Sequence, residues 1–363
     1  MNKDKKTIAL VMCVKNEEVG LEKAILSCKD FVNEIVICVD NSSQDKTLEI
    51  AKKYATTLKM YDWKDDFSDM RNFAHADVKS DWILFIDGHE YVDRHDRLTE
   101  FLNLDNDGLL VTVRMENCLE FRYPRIYKNG LKFSGQVHEK LNCINTTLYP
   151  RFVIQHNRIE GQSASASKIR EMQRDDQIPR IMGENLKKDP TDIRSSFHLA
   201  LWLGTKKRHK EALKYSKLYL KYSKLPHERW FVLFNGSLSH LALGNRFRAW
   251  WWANRASLAE PDRWENDKLK GLVMFDSGKY DKALPFLVKS FDQNSKSYAY
   301  APMPRDDAGT WNLIGECFAR CNVYDKAYVA FSEAVAQTDR ADLKPFFQAR
   351  ADLMQAVMKG REN

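Results

Sequence analysis

The sequence predicts two domains of different class: an α/β domain with a mostly parallel sheet, followed by an all-α repeat domain. Over the first 100 residues, short apolar runs alternate with stretches of helical periodicity, and beyond residue 200 one turn-and-helix phrase recurs four times. Charge divides the chain in the same way. Residues 1–165 hold 23 Lys and Arg against 26 Asp and Glu, whereas residues 166–363 hold 34 against 24. The length of 363 residues is itself typical of about two domains.

Apolar runs predict the strands of the first domain. Residues 7–14 and 34–40 are almost continuously apolar, which is typical of strands buried on both faces of a parallel sheet. Residues 82–87 form a similar run that ends in a carboxylate, and residues 58–61 form a shorter one. Between these runs, the spacing of apolar residues predicts helices at 17–30, 46–54 and 67–76. Such alternation predicts a parallel sheet covered by helices on both faces.

The pattern changes after residue 108. Residues 108–157 are rich in strand signals, with candidate strands at 109–115, 118–122, 125–127, 132–133 and 153–156. Residues 161–168, GQSASASK, are small and polar, which is typical of a hinge or a helix entry. We therefore expect the domains to be residues 1–165 and 166–363.

The second domain is predicted from a repeated phrase. Its four copies begin at Lys207, Gly244, Gly278 and Asn322, and they end at Ala212, Ala249, Ala283 and Ala327. The alanines are 37, 34 and 44 residues apart. The copy that runs from Trp311 through Gly315 to Phe331 has the small and aromatic residues of a tetratricopeptide repeat. The sequence therefore predicts an all-α, tetratricopeptide-like solenoid.

Composition excludes several classes of protein. The longest apolar runs are far shorter than the roughly 20 residues that cross a bilayer, so no membrane span is expected. After the first apolar run, Lys15, Glu17 and Glu18 stand where a signal peptide would have small residues. The seven cysteines form no CxxC pair, which indicates buried thiols in a reducing compartment. We expect a cytoplasmic protein.

Carboxylates at strand ends are the candidate functional residues. Asp40 and Asp87 each close a predicted strand, and ligands bind at the carboxyl ends of strands in parallel sheets. Asp87 and His89 are two residues apart and both could reach one divalent ion. Oxygen ligands with an imidazole suit Mn²⁺ better than a closed zinc site. The alternative is a capped turn without a metal.

Five phrases, in order, resemble the family 2 glycosyltransferases with a GT-A fold. They are CVKNEE (13–18), VDNSSQDKT (39–47), DFSDMRN (66–72), FIDGHE (85–90) and GQVHEKL (135–141). The resemblance covers residues 5–160 and is greatest to the branch of lipopolysaccharide-core glucosyltransferases and bacteriocin S-glycosyltransferases. It implies a Rossmann-like GT-A domain that transfers a sugar, with inversion, from a nucleotide-sugar. The expected donor is a UDP-sugar and the expected cofactor is Mn²⁺ or Mg²⁺.

The resemblance also implies which residues bind the donor. Asp40 would accept a hydrogen bond from the base, and Arg71 would face the nucleotide or the diphosphate. An alternative for Arg71 is an ion pair on the helix surface with Asp66 or Asp69. The full set that we expect to bind the nucleotide-sugar is Asn16, Glu17, Asp40, Arg71 and Asp87.

The metal and the catalytic base are also implied by the resemblance. Asp87 and His89 align with the Asp-x-Asp metal motif of the family, with His89 in place of the second Asp. His138 would complete the metal shell or contact the diphosphate; the alternative is a histidine that supports its loop. Because an inverting transfer needs one base and no covalent intermediate, Glu139 and Glu90 are the two candidates for that base.

The sequence leaves several classes of acceptor as alternatives. The resemblance is compatible with a peptide, protein or saccharide acceptor, and the basic second domain favours an anionic one. DNA or a lipid-linked glycan are alternatives, with nucleic acid less favoured than a simply solvated basic face. Because the ends of solenoids often pair, a homodimer through the helical domain is one expectation. The alternative from another class is a binding scaffold with a decayed transferase domain.

Overall fold

The computed structural model describes residues 6–115, 120–156, 177–291 and 306–362. The chain divides into two compact units, Met1–Ile181 and Met182–Asn363. The expected boundary after residue 165 lies outside the described residues, so its exact position stays a prediction.

The first unit is built on an eight-stranded sheet with strand order β3-β2-β1-β4-β7-β6-β10-β5. Strands β1 to β4 pair in parallel, as does β10 with β6, while β7 is antiparallel to both neighbours and β5 is antiparallel to β10. A separate β8–β9 pair completes the strands. The strands are β1 Ile8–Val14, β2 Glu34–Asp40, β3 Thr57–Tyr61, β4 Trp82–Phe85, β5 Glu90–His95, β6 Gly108–Arg114, β7 Glu120–Lys128, β8 Phe133–Ser134, β9 Lys140–Leu141 and β10 Thr146–His156.

Helices cover both faces of this sheet, as predicted. Because side chains alternate along a strand, Leu10 and Met12 of β1 pack into a core with helices α1 and α2, whereas Ala9 and Val11 pack into a second core with α3. The helices within the unit are α1 Leu21–Leu26, α2 Thr47–Tyr54, α3 Phe67–His75 and α4 Leu98–Leu102. Residues 177–188 form helix α5, which contains the division between the two units after Ile181.

Several predicted boundaries change in the structure. The helix expected at 17–30 is only α1, the strand expected at 82–87 ends at Phe85, and the candidates at 118–122 and 125–127 belong to one strand, β7. Strand β5 and helix α4 were not predicted. The second half of β5 is exposed on the edge of the sheet, so it lacks the apolar run that marks the central strands.

The second unit consists of helices that pair along the chain, which confirms the predicted solenoid. All four copies of the repeated phrase open with a left-handed residue: φ is 58° at Lys207, 72° at Gly244, 71° at Gly278 and 61° at Asn322. This conformation ends one helix and turns the chain into the next. The helices are α6 Ile193–Thr205, α7 His209–Tyr222, α8 Pro226–Ala242, α9 Arg246–Ala259, α10 Trp264–Asp276, α11 Tyr280–Lys289, α12 Asp307–Arg320, α13 Tyr324–Gln337 and α14 Lys344–Glu362.

Glycines hold three of the helix pairs close together. A Cβ atom on Gly236 would lie 2.2 Å from Cζ3 of Trp252, one on Gly271 would lie 2.6 Å from Cδ2 of Leu287, and one on Gly315 would lie 2.7 Å from Cδ1 of Phe331. The large residue follows its glycine by 16 positions each time. This regular contact is the small-and-large packing that the repeat pattern predicted.

The state of the cysteines and the hydropathy of the helices relate to two expectations from composition. The six cysteines within the described residues are free thiols. In the same part of the chain, no helix has both the length and the hydropathy needed to cross a membrane.

Candidate active site

Two loops at the carboxyl ends of β1 and β2 are joined by hydrogen bonds. The backbone N–H of Glu17 donates to Oγ1 of Thr47 at 2.7 Å, and Oδ1 of Asn16 accepts from the backbone N–H of Gln44 at 2.7 Å. Thr47, at the start of α2, is fully buried. Asn16 has a φ of 51°, a left-handed conformation that asparagine tolerates better than most residues. Asn16 and Glu17 thus lie in the loop that follows a parallel strand, and their donor-binding role stays a prediction.

Two glycines bring the loop after β4 against the loop after β1. A Cβ atom on Gly20 would lie 2.6 Å from the carbonyl oxygen of Gly88. One on Gly88 would lie 2.7 Å from Cγ of Glu17. Any side chain at either position would push the two loops apart, so these glycines fix the width of the site. Sequence reasoning missed them, although Gly88 lies inside the FIDGHE phrase.

Asp40 ends β2 with its side chain only 3% exposed. Its Oδ1 atom accepts hydrogen bonds from the backbone N–H and the hydroxyl of Ser42, at 2.8 and 2.6 Å. Its Oδ2 atom lies 3.3 Å from Nζ of Lys15. One carboxylate oxygen thus shapes the turn after β2, while the other faces a flexible, half-exposed lysine that can move away from a ligand.

Arg125, a partly buried arginine from β7, lies beside the two carboxylates that follow β4. Nη2 of Arg125 is 2.7 Å from Oε1 of Glu90 and 3.5 Å from Oδ2 of Asp87. The other oxygen of Glu90 accepts from the backbone N–H of Asp87 at 2.9 Å. Burial raises the pKa of Glu90, and the Asp87 carboxylate adds to the rise, while Arg125 opposes it. Arg125 was not predicted, because 35 residues separate it from Glu90 in the chain.

These contacts give Glu90 a positioning role. Its side chain is 1% exposed, and both of its oxygens have partners. A base must reach the proton of an acceptor, and Glu90 is directed instead towards Arg125 and the turn after β4. The geometry thus disfavours Glu90 as the base; Glu139 is the remaining candidate.

Arg71, on α3, pairs with Glu139. Its Nη2 atom lies 2.6 Å from Oε1 of Glu139, and its guanidinium lies over the ring of Phe85 at 4.1 Å. The alternative ion pair of Arg71 with Asp66 or Asp69 is not present. Asp66 accepts from the first turn of α3, and Asp69 bonds to neighbouring side chains of Tyr61 and Lys64. Two of the predicted site residues, which are 68 positions apart in the sequence, are therefore in direct contact.

The predicted metal ligands are not gathered around one point. Nε2 of His89 lies 3.2 Å from Nε2 of His156, and its Nδ1 lies 3.5 Å from Oε1 of Glu17. Asp87 lies beside Arg125, and His138 is an exposed residue with a φ of 51°. Nowhere in the described ranges do three or more His, Cys, Asp or Glu side chains stand where they could hold a metal ion. As arranged, these residues do not fit a divalent cation.

Comparison with known proteins finds a family model that matches most of the first unit. Residues 9–158 match the model of glycosyl transferase family 2. The chain is 28% identical over 249 residues to the SPbeta prophage-derived glycosyltransferase SunS of Bacillus subtilis (strain 168), a match that covers 63% of this chain and 57% of SunS. It is 27% identical over 157 residues to an uncharacterized glycosyltransferase of Rickettsia bellii (strain RML369-C), covering 41% of this chain and 53% of that protein. The chain thus spans just over half the length of these relatives.

Other similarities concern helical-repeat proteins. The chain is 40% identical over 140 residues to the TPR repeat-containing protein Synpcc7942_0270 of Synechococcus elongatus, covering 36% of this chain and 34% of that protein. Among solved structures, MamA aligns with a TM-score of 0.40 and 16% identity over 48% of this chain and 95% of MamA. The TPR protein TTC0263 of Thermus thermophilus aligns with a TM-score of 0.38 and 17% identity over 51% and 94% of the two chains. Residues 9–158 thus match the model of glycosyl transferase family 2, in a chain whose second unit is a helical array.

Proposed function

We propose that the protein is a glycosyltransferase that moves a sugar from a nucleotide-sugar, with UDP as the expected nucleotide, to an acceptor. The observation that carries this proposal is the convergence of three loops at the carboxyl ends of β1, β2 and β4, within a glycosyl transferase family 2 domain. Ligands bind at this edge of parallel sheets. The buried carboxylate of Asp40 and the guanidinium of Arg71 supply the two kinds of group that a nucleoside diphosphate needs.

Each donor contact follows from the chemistry of its residue. Asp40 would accept a hydrogen bond from the N–H of the base through Oδ2, the oxygen that now faces Lys15. Asn16 and Glu17 would line the nucleotide through the loop after β1. A guanidinium suits the diphosphate because its planar array of N–H donors matches phosphate oxygens. Arg71 is the candidate for this role, and its position over Phe85 keeps the guanidinium oriented.

Glu139 is the proposed base. In an inverting transfer the base removes a proton from the acceptor while the acceptor oxygen, nitrogen or sulfur bonds to the sugar and the nucleoside diphosphate leaves. Glu139 lies beside Arg71, so base and leaving-group contact would be neighbours. Negative charge develops on the leaving diphosphate, and fixed cations at that point stabilise the transition state.

The divalent metal that the family resemblance implies is not part of the proposed transfer. Family 2 enzymes often use a divalent metal, but Asp87, His89 and His138 do not fit one as arranged. We therefore assign no step to Mn²⁺ or Mg²⁺. Donor hydrolysis measured with Mn²⁺, with Mg²⁺ and with EDTA tests metal dependence directly: activity that disappears in EDTA would restore the metal role of these residues.

The acceptor is proposed to be a peptide or protein, because tetratricopeptide-like arrays commonly bind polypeptides. A saccharide acceptor is the next candidate, followed by a lipid-linked glycan or DNA. We also propose a cytoplasmic location and homodimerisation through the helical unit.

A binding scaffold with a decayed transferase domain is the second candidate function. The observation that favours it is the absence, in the described residues, of a three-ligand metal cluster.

Asp40→Asn is expected to weaken donor binding about tenfold, the effect of losing one hydrogen bond to a charged acceptor. Asparagine keeps Oδ1 for Ser42, so the turn after β2 survives, but its amide cannot accept from the base. Calorimetric titration with a panel of nucleotide-sugars measures the effect. Lys15→Gln is the matched control, because it breaks the same ion pair and leaves the acceptor oxygen in place. If the unmodified protein binds no nucleotide-sugar in the panel, the scaffold function replaces the transferase.

A further inference from the structure

Two adjoining cavities lie in the helical unit between helices α7 and α9. The end of α8 lines both of them through His240. One has a volume of about 490 Å³ and the other about 400 Å³. They share three residues, Lys217, His240 and Arg248, so they form one continuous depression. We call it the α7–α9 groove, and its main lining residues are Lys210, Lys214, Lys217, His240, Arg248 and Trp251.

The larger cavity is strongly basic. Three lysines at helical spacing on α7, Lys210, Lys214 and Lys217, face it together with Arg248 of α9, and no carboxylate lines it. All four side chains are exposed, and within the described ranges none has a carboxylate in salt-bridge distance. Cations gathered without a carboxylate in ion-pair distance produce a local positive potential that attracts an anion.

His240 supplies the second, independent observation. Its side chain is 2% exposed and contributes to both cavities. Neither of its ring nitrogens has a hydrogen-bond partner among the described residues. Burial lowers the pKa of His240, and the nearby cations Arg248 and Lys217 lower it further. A buried imidazole without partners costs free energy, and a bound anion that reaches the ring would remove this cost.

The smaller cavity is aromatic. Phe247 is 83% exposed and Trp251 is 50% exposed, while the next residue, Trp252, is buried. The guanidinium of Arg255 lies 4.6 Å from the ring centre of Trp251, so one face of that ring is already covered. Exposed aromatic residues beside cations are typical of protein-binding surfaces. Single-stranded nucleic acid is held by a succession of aromatic faces along a groove, whereas this cavity offers Phe247 and one face of Trp251.

We propose that the α7–α9 groove binds an acidic polypeptide segment, with a carboxylate against Lys217, His240 and Arg248 and an adjacent apolar side chain against Phe247 and Trp251. The charge of the larger cavity selects the anion, and the aromatic rim of the smaller one selects an apolar neighbour. A polypeptide presents both groups, a carboxylate and an apolar side chain, at side-chain spacing along one backbone. That this segment belongs to the acceptor rests on the proposed glycosyl transfer; the binding itself does not.

The test is fluorescence anisotropy with dye-labelled eight-residue peptides in which Asp and Glu flank Leu and Phe. Their Asn and Gln counterparts serve as the matched neutral probes. We expect the acidic peptides to bind about tenfold more tightly than the neutral ones and to weaken as salt is raised. Equal binding of the two sets would overturn the proposal. So would tighter binding of single-stranded DNA or of vesicles that contain anionic lipid.

Variants of the full chain locate the site. Arg248→Gln and Trp251→Ala should each weaken the acidic peptide about tenfold, since each removes one of the two recognised features. Lys282→Gln on α11 and Leu258→Ala on α9 are the matched controls, both being exposed and outside the groove. A peptide that binds Arg248→Gln as tightly as the unmodified protein contradicts the assignment.

Donor binding separates this proposal from the glycosyl transfer. Arg248→Gln should bind nucleotide-sugars as the unmodified protein does, because Arg248 is not among the donor-binding residues. Loss of peptide binding with intact donor binding supports the groove. Absence of donor binding in every variant, with peptide binding retained, would contradict the transferase and leave the groove standing.

Discussion

Arg125→Met is expected to lower the free energy of unfolding of the α/β unit by about 3–5 kcal/mol, the usual cost of removing one member of a buried ion pair. The guanidinium lies 2.7 Å from Glu90, whose side chain is 1% exposed. In the part of the chain that the structure describes, no other cation lies within ion-pair distance of Glu90. Hydrogen exchange of the β4 and β7 amides measures the loss in the unit that carries the change.

Two further variants make this prediction specific. Arg122→Met changes an exposed arginine on the same strand, and we expect it to cost no more than about 0.5 kcal/mol. Adding Glu90→Gln to Arg125→Met removes the uncompensated charge and should recover a large part of the lost stability. If Arg125→Met costs no more than Arg122→Met, the pair is not a stabilising element of the site.

The pH dependence of the Arg125→Met variant has a definite sign. Burial already raises the pKa of Glu90 above 4.5, so the native carboxyl holds its proton more tightly than the unfolded one. The stability from this group is fully present below the unfolded pKa and falls as the pH rises through the folded pKa. Removing Arg125 takes away the cation that opposes this rise, so the folded pKa of Glu90 rises further and the pH range between the unfolded and folded pKa becomes wider. The deficit of the variant should therefore be smaller at about pH 5 than at about pH 8.

Gly236→Ala should destabilise the helical unit by about 2–3 kcal/mol. The new Cβ atom would lie 2.2 Å from the ring of Trp252, which is buried and cannot swing into solvent. This overpacking outweighs the gain of about 1 kcal/mol that alanine has over glycine inside a helix. Urea unfolding gives the total loss, and hydrogen exchange of α8 and α9 shows that it originates there.

Gly204→Ala is the matched control for that change. Gly204 lies in α6, and a Cβ atom there would have no neighbour within 4 Å. We expect it to be neutral or to stabilise by up to about 1 kcal/mol. Combining Gly236→Ala with Trp252→Leu should restore part of the stability, because the smaller side chain makes room for the methyl group. Equal effects of the two glycine changes would show that helix propensity, not the close approach, decides stability.

The sequence was informative wherever burial leaves a regular pattern. The predicted bounds of β2 are those observed, because a central parallel strand is apolar on both faces. The four copies of the repeated phrase were equally clear in the sequence. Each turn between paired helices needs a left-handed residue, and each close contact between the helices needs a small residue. Strand β5 escaped prediction because half of it is exposed at the edge of the sheet.

The sequence predicted the candidate residues in the loops of the site, but it did not predict the residues from other strands that contact them. Asn16, Asp40 and Asp87 follow strand ends that are visible in the sequence. Arg125 and His156 come from β7 and β10, strands that reach the site only after the sheet has formed. A spacing of two residues suggested that Asp87 and His89 share a ligand, whereas in the structure Asp87 lies beside Arg125 and His89 lies beside His156.

Each hairpin of the helical array closes with parts of its own: a left-handed residue at the turn, a buried alanine after it and, in three pairs, a glycine facing a large side chain. None of these contacts needs a residue from a distant hairpin. Duplication or deletion of one hairpin in the gene would therefore lengthen or shorten the array without redesign of the remainder. The α/β unit has no such freedom, because its site draws on strands from across the whole sheet.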